Sequence, residues 1–176
     1  MTIPYRQIHL DFHTSERIPG IGSAWDKQHW QETLKRGHVN SINVFAVCHH
    51  GWSYYNTKVG QRHPNLAPGL DLTRAMLDAC HEVGIHTQVY LTVGVNNRFA
   101  RAHSEWRCIN EQGAYSGWCQ KPTDPGFHML CFNTPTWSSS ATRCGNWDAS
   151  SPTPTACGWT SSTNRSAAVR VAWPAW

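Results

Sequence analysis

Histidines gather at the ends of two predicted strands. The segment QIHLDFH (residues 7–13) alternates apolar and polar residues and places His9, Asp11 and His13 on one face. The β-branched and aromatic run SINVFAVCHH ends in His49 and His50. Imidazole nitrogens donate and accept hydrogen bonds and titrate near neutral pH. We therefore expect a ligand site at these strand ends. Since neighbouring residues of a strand point to opposite faces, at most one of His49 and His50 should face it.

A metal site is the competing interpretation of the first strand. His9, Asp11 and His13 all carry atoms that bind metals. However, amidohydrolase-type barrels space their first-strand histidines as His-x-His, whereas three residues separate His9 from His13. The seven cysteines form no Cys-x-x-Cys pair and no zinc pattern. We favour a polar stripe that binds a sugar or is satisfied internally, and we predict no metal and no cofactor.

The elements between these histidines predict a parallel α/β sheet. A helix is expected over residues 26–36 with Gly37 at its end, and a second over residues 71–83 with Gly84 as its C-cap. The third strand, IHTQVYLTVG, follows directly. The second helix should bury one face, made of Leu72, Met76, Ala79, Cys80 and Val83. Strand, helix, strand, helix and strand in this order form βαβ units.

Two loops carry aromatic residues. The loop between residues 49 and 70 contains Trp52, Tyr54 and Tyr55, and long loops after strands carry function in such folds. Residues 96–135 are predicted to be loop-rich, with turns at residues 111–113 and 124–126. Trp106 and Trp118 lie in this second region, where they either stack on a sugar ring or fill the rim of the fold.

The composition changes at Thr136. The last 41 residues contain no Leu, Ile, Phe, Met, Lys or Glu, yet they contain five Trp and fourteen Ser or Thr. We see no helical or strand period there and predict a disordered tail. When one base is restored before codon 136 and the segment is back-translated with G/C-favouring codons, it can read as an amphipathic helix, a turn and a strand, which is the unit a (β/α)8 barrel requires next. The hypothesis is a frameshift near residue 136.

Four segments together are similar to one family. The runs YRQIHLDFHTS, VCHHGWSYY, EWRCINEQG and HMLCFNTP resemble the hypothetical glycosyl hydrolase family six, which is related to the α-L-fucosidases, over about residues 4–135. The resemblance implies a (β/α)8 TIM barrel that hydrolyses O-glycosidic bonds. In α-L-fucosidases the second strand ends in His-His-Asp-Gly, whereas this chain has His49-His50-Gly51 without the acidic residue.

The resemblance also implies which residues bind sugar. The family's Phe-His-x-Ser position corresponds to Phe12-His13-Thr14-Ser15, and its nucleophile is an aspartate at the end of the fourth strand, which this sequence lacks outside the restored frame. We predict substrate binding by His13, His49, His50, Trp52 and Trp106 and assign no catalytic residue. Retaining hydrolysis needs two carboxyl groups about 5–5.5 Å apart.

The sequence therefore predicts an α/β fold that is the N-terminal part of a TIM barrel. Residues 1–135 form a partial glycoside hydrolase domain, truncated after strand three, and residues 136–176 form the out-of-frame tail. We expect an inactive fragment with an unpaired edge at strand three. Alternatives are a metal-dependent amidohydrolase-type hydrolase and a non-catalytic carbohydrate-binding protein, the latter disfavoured because the helices do not suit a β-sandwich.

Partners and location follow from composition. The net charge is +4 and no basic run suggests nucleic acid. No apolar run reaches the ~20 residues that span a bilayer, and no signal peptide precedes the first strand. We expect a cytoplasmic protein whose parent enzyme binds a carbohydrate substrate. The sequence does not set an oligomeric state.

Overall fold

One parallel sheet organises the chain. The computed structural model describes residues 4–118, 126–150 and 157–160. The strands stand in the order β1–β2–β3–β4, and every neighbouring pair is parallel. Their bounds are β1 Gln7–His9, β2 Ser41–Val47, β3 His86–Thr92 and β4 Cys157–Thr160. Because all strands run the same way, their carboxyl ends lie along one edge of the sheet.

Helices connect the strands. They are α1 Lys27–Arg36, α2 Leu72–Glu82, α3 Asn97–Ala102 and α4 Thr136–Ser150, with a 3-10 turn at Ser104–Trp106. None of the helices in the described part of the chain combines the length and the apolar character that crossing a bilayer requires. The alternation of strands and helices confirms the predicted parallel α/β organisation.

The first two helices begin and end close to where the sequence predicts. Asp26 caps α1 by accepting a hydrogen bond from the backbone N–H of His29 at 2.8 Å, and Gly37 ends it. The end of α2 differs by one residue from the prediction: Val83 is the C-cap, and Gly84 follows with a φ of 71°. Glycine adopts this left-handed backbone without a steric penalty.

The core lies between the sheet and these helices. The predicted apolar face of α2 is buried there, with Val83 only partly so. Tyr54 and Tyr55 are each 1% exposed, so these two aromatics of the long loop are core residues and not ligand contacts. The Tyr54 hydroxyl donates to the carbonyl of Phe12 at 2.8 Å and accepts the backbone N–H of Thr14 at 3.2 Å. Tyr54 thereby holds the segment that carries His13.

The first strand is shorter than predicted. Pairing with β2 stops at His9, and residues 10–13 leave the sheet. Ile8 is 40% exposed because β1 is an edge strand with no described neighbour on its outer side. The expected continuous strand over residues 7–13 is therefore wrong beyond His9.

The tail forms more structure than the sequence predicts. The structure has α4 and β4 after Thr136, and β4 pairs with β3, so parts of this segment have regular structure where the sequence shows no period. The edges of the sheet are consequently β1 and β4 instead of strand three. The out-of-frame tail and the truncation of the barrel after the third strand stay predictions. Residues 151–156 and 161–176 lie outside the described residues.

Polar side chains contribute to the contacts of α4 with the rest of the chain. Thr136, Ser140 and Arg143, spaced four and three residues apart, form its buried face. Arg143 stacks 4.7 Å above the ring centre of Phe99, and its Nη2 atom lies 3.1 Å from the Ser140 hydroxyl and 3.5 Å from the Thr92 carbonyl. Helical spacing without apolar residues is not a signal that a hydrophobic pattern can detect.

The loop-rich region also contains regular elements. The prediction for residues 96–135 missed α3 and the 3-10 turn, because six and three residues are too short for a visible period. The expected turn at residues 111–113 is confirmed: Gly113 has a φ of 77°, and Ile109 bridges Tyr115 in antiparallel fashion. Most of the turn predicted at residues 124–126 lies outside the described residues.

The cap of α2 provides a test of this fold. Asp71 accepts the backbone N–H of Arg74 at 3.0 Å and that of Asn56 at 2.9 Å, so one carboxylate caps the helix and secures the long loop. We expect Asp71→Ala to lower the free energy of unfolding by about 2 kcal/mol. Asp26→Ala, which removes only the cap of α1, should cost about 1 kcal/mol. Urea denaturation measures both; equal losses would contradict the role of Asp71 in the loop.

Candidate functional site

Two imidazole rings stack at the carboxyl edge of the sheet. His13 follows β1 and His49 follows β2, with ring centres 4.0 Å apart and planes inclined by 26°. The backbone N–H of His49 donates to Nδ1 of His13 at 3.0 Å. The stacked rings of Phe45 and Tyr90 contact His13 edge-on from inside the sheet. We call His13 and His49 the imidazole pair.

The protonation pattern of the imidazole pair follows from its hydrogen bonds. The Thr92 hydroxyl donates its proton to the Val95 carbonyl, so towards Nδ1 of His49, 2.7 Å away, it acts as an acceptor. Nδ1 of His49 therefore carries the hydrogen and Nε2 carries the lone pair. In His13 the order is reversed, because its Nδ1 is the acceptor of the His49 N–H. The pair thus carries one N–H donor, Nε2 of His13, and one nitrogen acceptor, Nε2 of His49, which the Tyr90 hydroxyl approaches at 3.4 Å.

Burial keeps these rings neutral. It is the largest cause that lowers the pKa of His49, to about 4, and the neighbouring His13 adds to the effect. Burial likewise lowers the pKa of His13, opposed by the charge of Asp11, whose Oδ1 lies 3.9 Å from Nε2 of His13. Neutral imidazoles that offer a donor and an acceptor match a hydroxyl group, which also donates and accepts.

An aromatic wall stands beside the imidazole pair. The ring of Phe127 lies 5.7 Å from that of His13 and 5.1 Å from that of His49. Trp118 lies 6.1 Å from His49 and is 56% exposed. The structure therefore places Trp118 next to a predicted site residue. Phe127 was not predicted, since a single aromatic after a glycine has no distinguishing pattern.

Asn97 joins three parts of this site. Its backbone N–H donates to the His49 carbonyl at 2.9 Å, and its side-chain Oδ1 accepts the backbone N–H of His128 at 2.9 Å. Its Nδ2 donates to the Gly126 carbonyl at 3.3 Å. The start of α3 thereby fixes the end of β2 and the segment that carries Phe127.

His50 points away from the imidazole pair. As expected for consecutive residues, His49 contacts Thr92, whereas His50 lines a separate cleft together with Glu16, Trp52 and Arg98. Its ring also contacts Phe127 at 5.0 Å. Burial lowers the pKa of His50, and the charge of Glu16 opposes this. His50 therefore links the two parts of the site.

The two predicted tryptophans have other neighbours. The guanidinium of Arg98 lies 4.1 Å above the centre of the Trp52 ring, so that face is covered. Trp106 stacks on His103 with ring centres 3.9 Å apart and contacts Phe99 edge-on, and no ring contact places it against the imidazole pair among the described residues. Of the five predicted residues, His13 and His49 come together, His50 and Trp52 line the neighbouring cleft, and Trp106 lies apart.

The described residues offer no group of three or more metal ligands. The proposed ligands of the first strand have other contacts: Nδ1 of His9 lies 3.1 Å from Nδ2 of Asn43, and His13 stacks on His49. The amidohydrolase-type interpretation therefore gains no support from the geometry.

Comparison with known proteins identifies the family. The family model described as hypothetical glycosyl hydrolase 6 matches residues 26–143. The α-L-fucosidase isoenzyme 2 from Paenibacillus thiaminolyticus is 38% identical with a TM-score of 0.81, over 85% of this chain and 22% of that one. A hypothetical protein from Ruminiclostridium thermocellum ATCC 27405 shares the fold at 14% identity and a TM-score of 0.52, over 70% of this chain and 63% of that one.

No curated protein matches this chain significantly. The chain spans 22% of the length of the fucosidase that it resembles. The family match covers more than half of the present sequence and includes α1 to β3 and both histidines after β2. The expected resemblance is confirmed: the chain belongs to the hypothetical glycosyl hydrolase 6 family.

Proposed function

We propose that the parent enzyme is a (β/α)8 glycoside hydrolase that cleaves an α-L-fucoside-like O-glycosidic bond. The observation that carries this proposal is the neutral imidazole pair, which offers one donor and one acceptor at the carboxyl edge of a parallel sheet. That edge hosts the active sites of barrel enzymes. The similarity to α-L-fucosidase isoenzyme 2 names the sugar, and the exposed face of Trp118 suits the apolar side of a sugar ring.

We further propose that this chain binds a sugar without cleaving it, because the family's nucleophile position holds a threonine. Thr160 ends β4 and pairs in register with Thr92, the partner of His49. A hydroxyl in place of the carboxylate provides no group that forms the glycosyl–enzyme intermediate of a retaining enzyme. This favours carbohydrate binding without turnover as the property of the chain itself.

A frameshift near codon 136 accounts for this threonine. With one base restored, each codon takes its first base from the preceding one. Residues 157–160 are Cys-Gly-Trp-Thr, whose codons have fixed first and second bases. The restored strand then reads Leu, Met or Val, next Arg or Trp, next Leu, Met or Val, and finally aspartate. The aspartate does not depend on codon choice, since Trp159 has a single codon that ends in G.

In the restored strand, apolar residues stand at positions 157 and 159, and an aspartate stands at the position of Thr160. The structure has β4 at these same residues.

We also propose a cytoplasmic location, supported by Cys48, Cys80, Cys108 and Cys131, which are free thiols in the described part of the chain.

The frameshift predicts a clear pattern of activity. The chain of 176 residues should show no hydrolysis of an aryl α-L-fucoside. The chain expressed with the base restored and read through to its natural stop should hydrolyse it, and changing the restored aspartate to asparagine should remove that activity by about 10³-fold or more. Turnover by the present chain, or an uninterrupted genomic frame that encodes this tail, would refute the frameshift.

Sugar binding by the imidazole pair has its own test. We expect L-fucose to shift the imidazole NMR signals of His49, and His49→Phe, which keeps a ring but removes the hydrogen bonds, to weaken binding about tenfold or more. His103→Phe is the matched control, because His103 stacks on Trp106 away from the pair. Equal affinity of the two variants would argue against the site.

The same binding should depend on pH in one direction. The pKa of His49 is lowered to about 4, so its ring is neutral at neutral pH and Nε2 is an acceptor. Affinity for L-fucose should stay constant between about pH 8 and about pH 6, and it should fall as the pH approaches 4 and the ring takes up a proton. An NMR titration of the His49 ring gives its midpoint, and a midpoint near the ordinary histidine value would contradict this expectation.

A further inference from the structure

A second cleft lies on the other side of His50. It has a volume of about 280 Å³ and opens beside the start of α3. Two arginines, Arg98 and Arg101, line it with Glu16, His50 and Trp52. None of these residues except His50 and Trp52 was singled out by the sequence. We call it the Arg98 cleft.

Arg98 is held in one orientation. Its guanidinium stacks on the ring of Trp52, and Nε1 of Trp52 donates to Oε2 of Glu16 at 3.2 Å, which fixes the ring. Gly51, with a φ of 92°, lets the chain after β2 pass close by, since a β-carbon there would lie 3.0 Å from that of Arg98. A fixed guanidinium loses little conformational entropy when it binds a ligand.

The charged side chains that line the cleft carry more positive than negative charge. Nη1 of Arg101 lies 3.7 Å from Oε1 of Glu16, so these two groups form an ion pair. Hydrogen bonds from its own backbone N–H and from Trp52 lower the pKa of Glu16 and keep it ionised. In the described part of the chain, no carboxylate or carbonyl forms an ion pair or hydrogen bond with Arg98. Glu16 therefore balances one of the two positive charges that line the cleft, and the group of Glu16, Arg98 and Arg101 keeps one positive charge in excess.

We propose that the Arg98 cleft binds the carboxylate of an acidic sugar, a hexuronate unit, next to the sugar held by the imidazole pair. The planar guanidinium matches a carboxylate with two parallel hydrogen bonds, and one unbalanced positive charge matches a monoanion. Arg98 covers one face of the Trp52 ring, so a sugar ring has no room to stack on that face. Charge and not stacking therefore selects the ligand. The sugar part of this inference rests on the proposed function, and the carboxylate part does not.

Isothermal titration of the full chain tests the proposal with methyl β-D-glucuronide and, as a neutral match, methyl β-D-glucoside. We expect the glucuronide to bind at least about tenfold more tightly at low salt, and the difference to shrink as salt is added. Arg98→Gln should remove the difference. Arg36→Gln, which removes an exposed charge from the last turn of α1, should leave it unchanged.

A second variant separates charge from folding. Glu16→Gln keeps an oxygen acceptor for Trp52 but removes the negative charge, so it should strengthen glucuronide binding by several-fold. A purely structural role for the Glu16–Trp52–Arg98 stack would weaken binding in both variants. Arg98→Lys, which keeps the charge but loses the planar fork, should bind weakly while its circular dichroism spectrum remains that of the wild type.

Two results would overturn the inference: equal affinity for glucuronide and glucoside, or equal binding by Arg98→Gln and Arg36→Gln. Failure of the proposed function is visible separately, because it is the loss of the L-fucose effect on His49. A chain that responds to L-fucose but does not prefer the glucuronide retains the proposed function and loses only the carboxylate subsite.

Discussion

The direction in which the Thr92 hydroxyl donates its proton determines which ring nitrogens of the imidazole pair carry a hydrogen. Because the proton goes to the Val95 carbonyl, the hydroxyl oxygen receives the Nδ1 hydrogen of His49. That sets the lone pair of His49 on the opposite nitrogen, and the His49 backbone sets the complementary tautomer in His13. Thr92 is also the register partner of Thr160. One residue at the end of β3 thus connects the imidazole pair with the end of β4, where the proposed function places the missing carboxylate.

Buried rings and their packing make this arrangement possible. Phe45 and Tyr90 stack with centres 4.1 Å apart beneath the imidazole pair, and the wall of Phe127 stands above it. Desolvation by these rings favours neutral imidazoles, which recognise hydroxyl groups and do not attract anions. Charge is instead concentrated in the Arg98 cleft. His50 lies between the two regions, because it lines the cleft and its ring contacts Phe127.

Much of the fold was predictable because its signals are local. The caps of α1, the apolar face of α2 and the β-branched strands β2 and β3 follow from spacing and composition. The site was predictable only where residues lie at strand ends, as do His13 and His49. Arg98 and Phe127 were not, because they reach the site through α3 and through a loop. No short-range pattern encodes their distance from β2.

The segment from Thr136 onward shows a different limit of prediction from the sequence. Its hydropathy gives no period, yet α4 and β4 are present, with Thr136, Ser140 and Arg143 on the buried face of the helix. Buried polar groups are tolerated when they are hydrogen-bonded, as the Ser140–Arg143 contact illustrates. Such a face contributes less to stability than an apolar one of equal area, since hydrogen bonds largely exchange with water. The missing hydropathy period therefore did not exclude a helix or a strand in this segment.

Neighbouring residues of the short helix α3 have different roles. Asn97 holds backbone on both sides, and its carboxamide uses both its oxygen and its nitrogen, so another side chain there would disturb two segments at once. Arg98 and Arg101 belong to the same helix and line the cleft, and within the described residues their side chains hydrogen-bond to no backbone group. Substitution of either arginine therefore changes the charge of the cleft while the backbone contacts of Asn97 are retained. The charge of this surface can thus change by single substitutions that leave the anchoring of α3 intact.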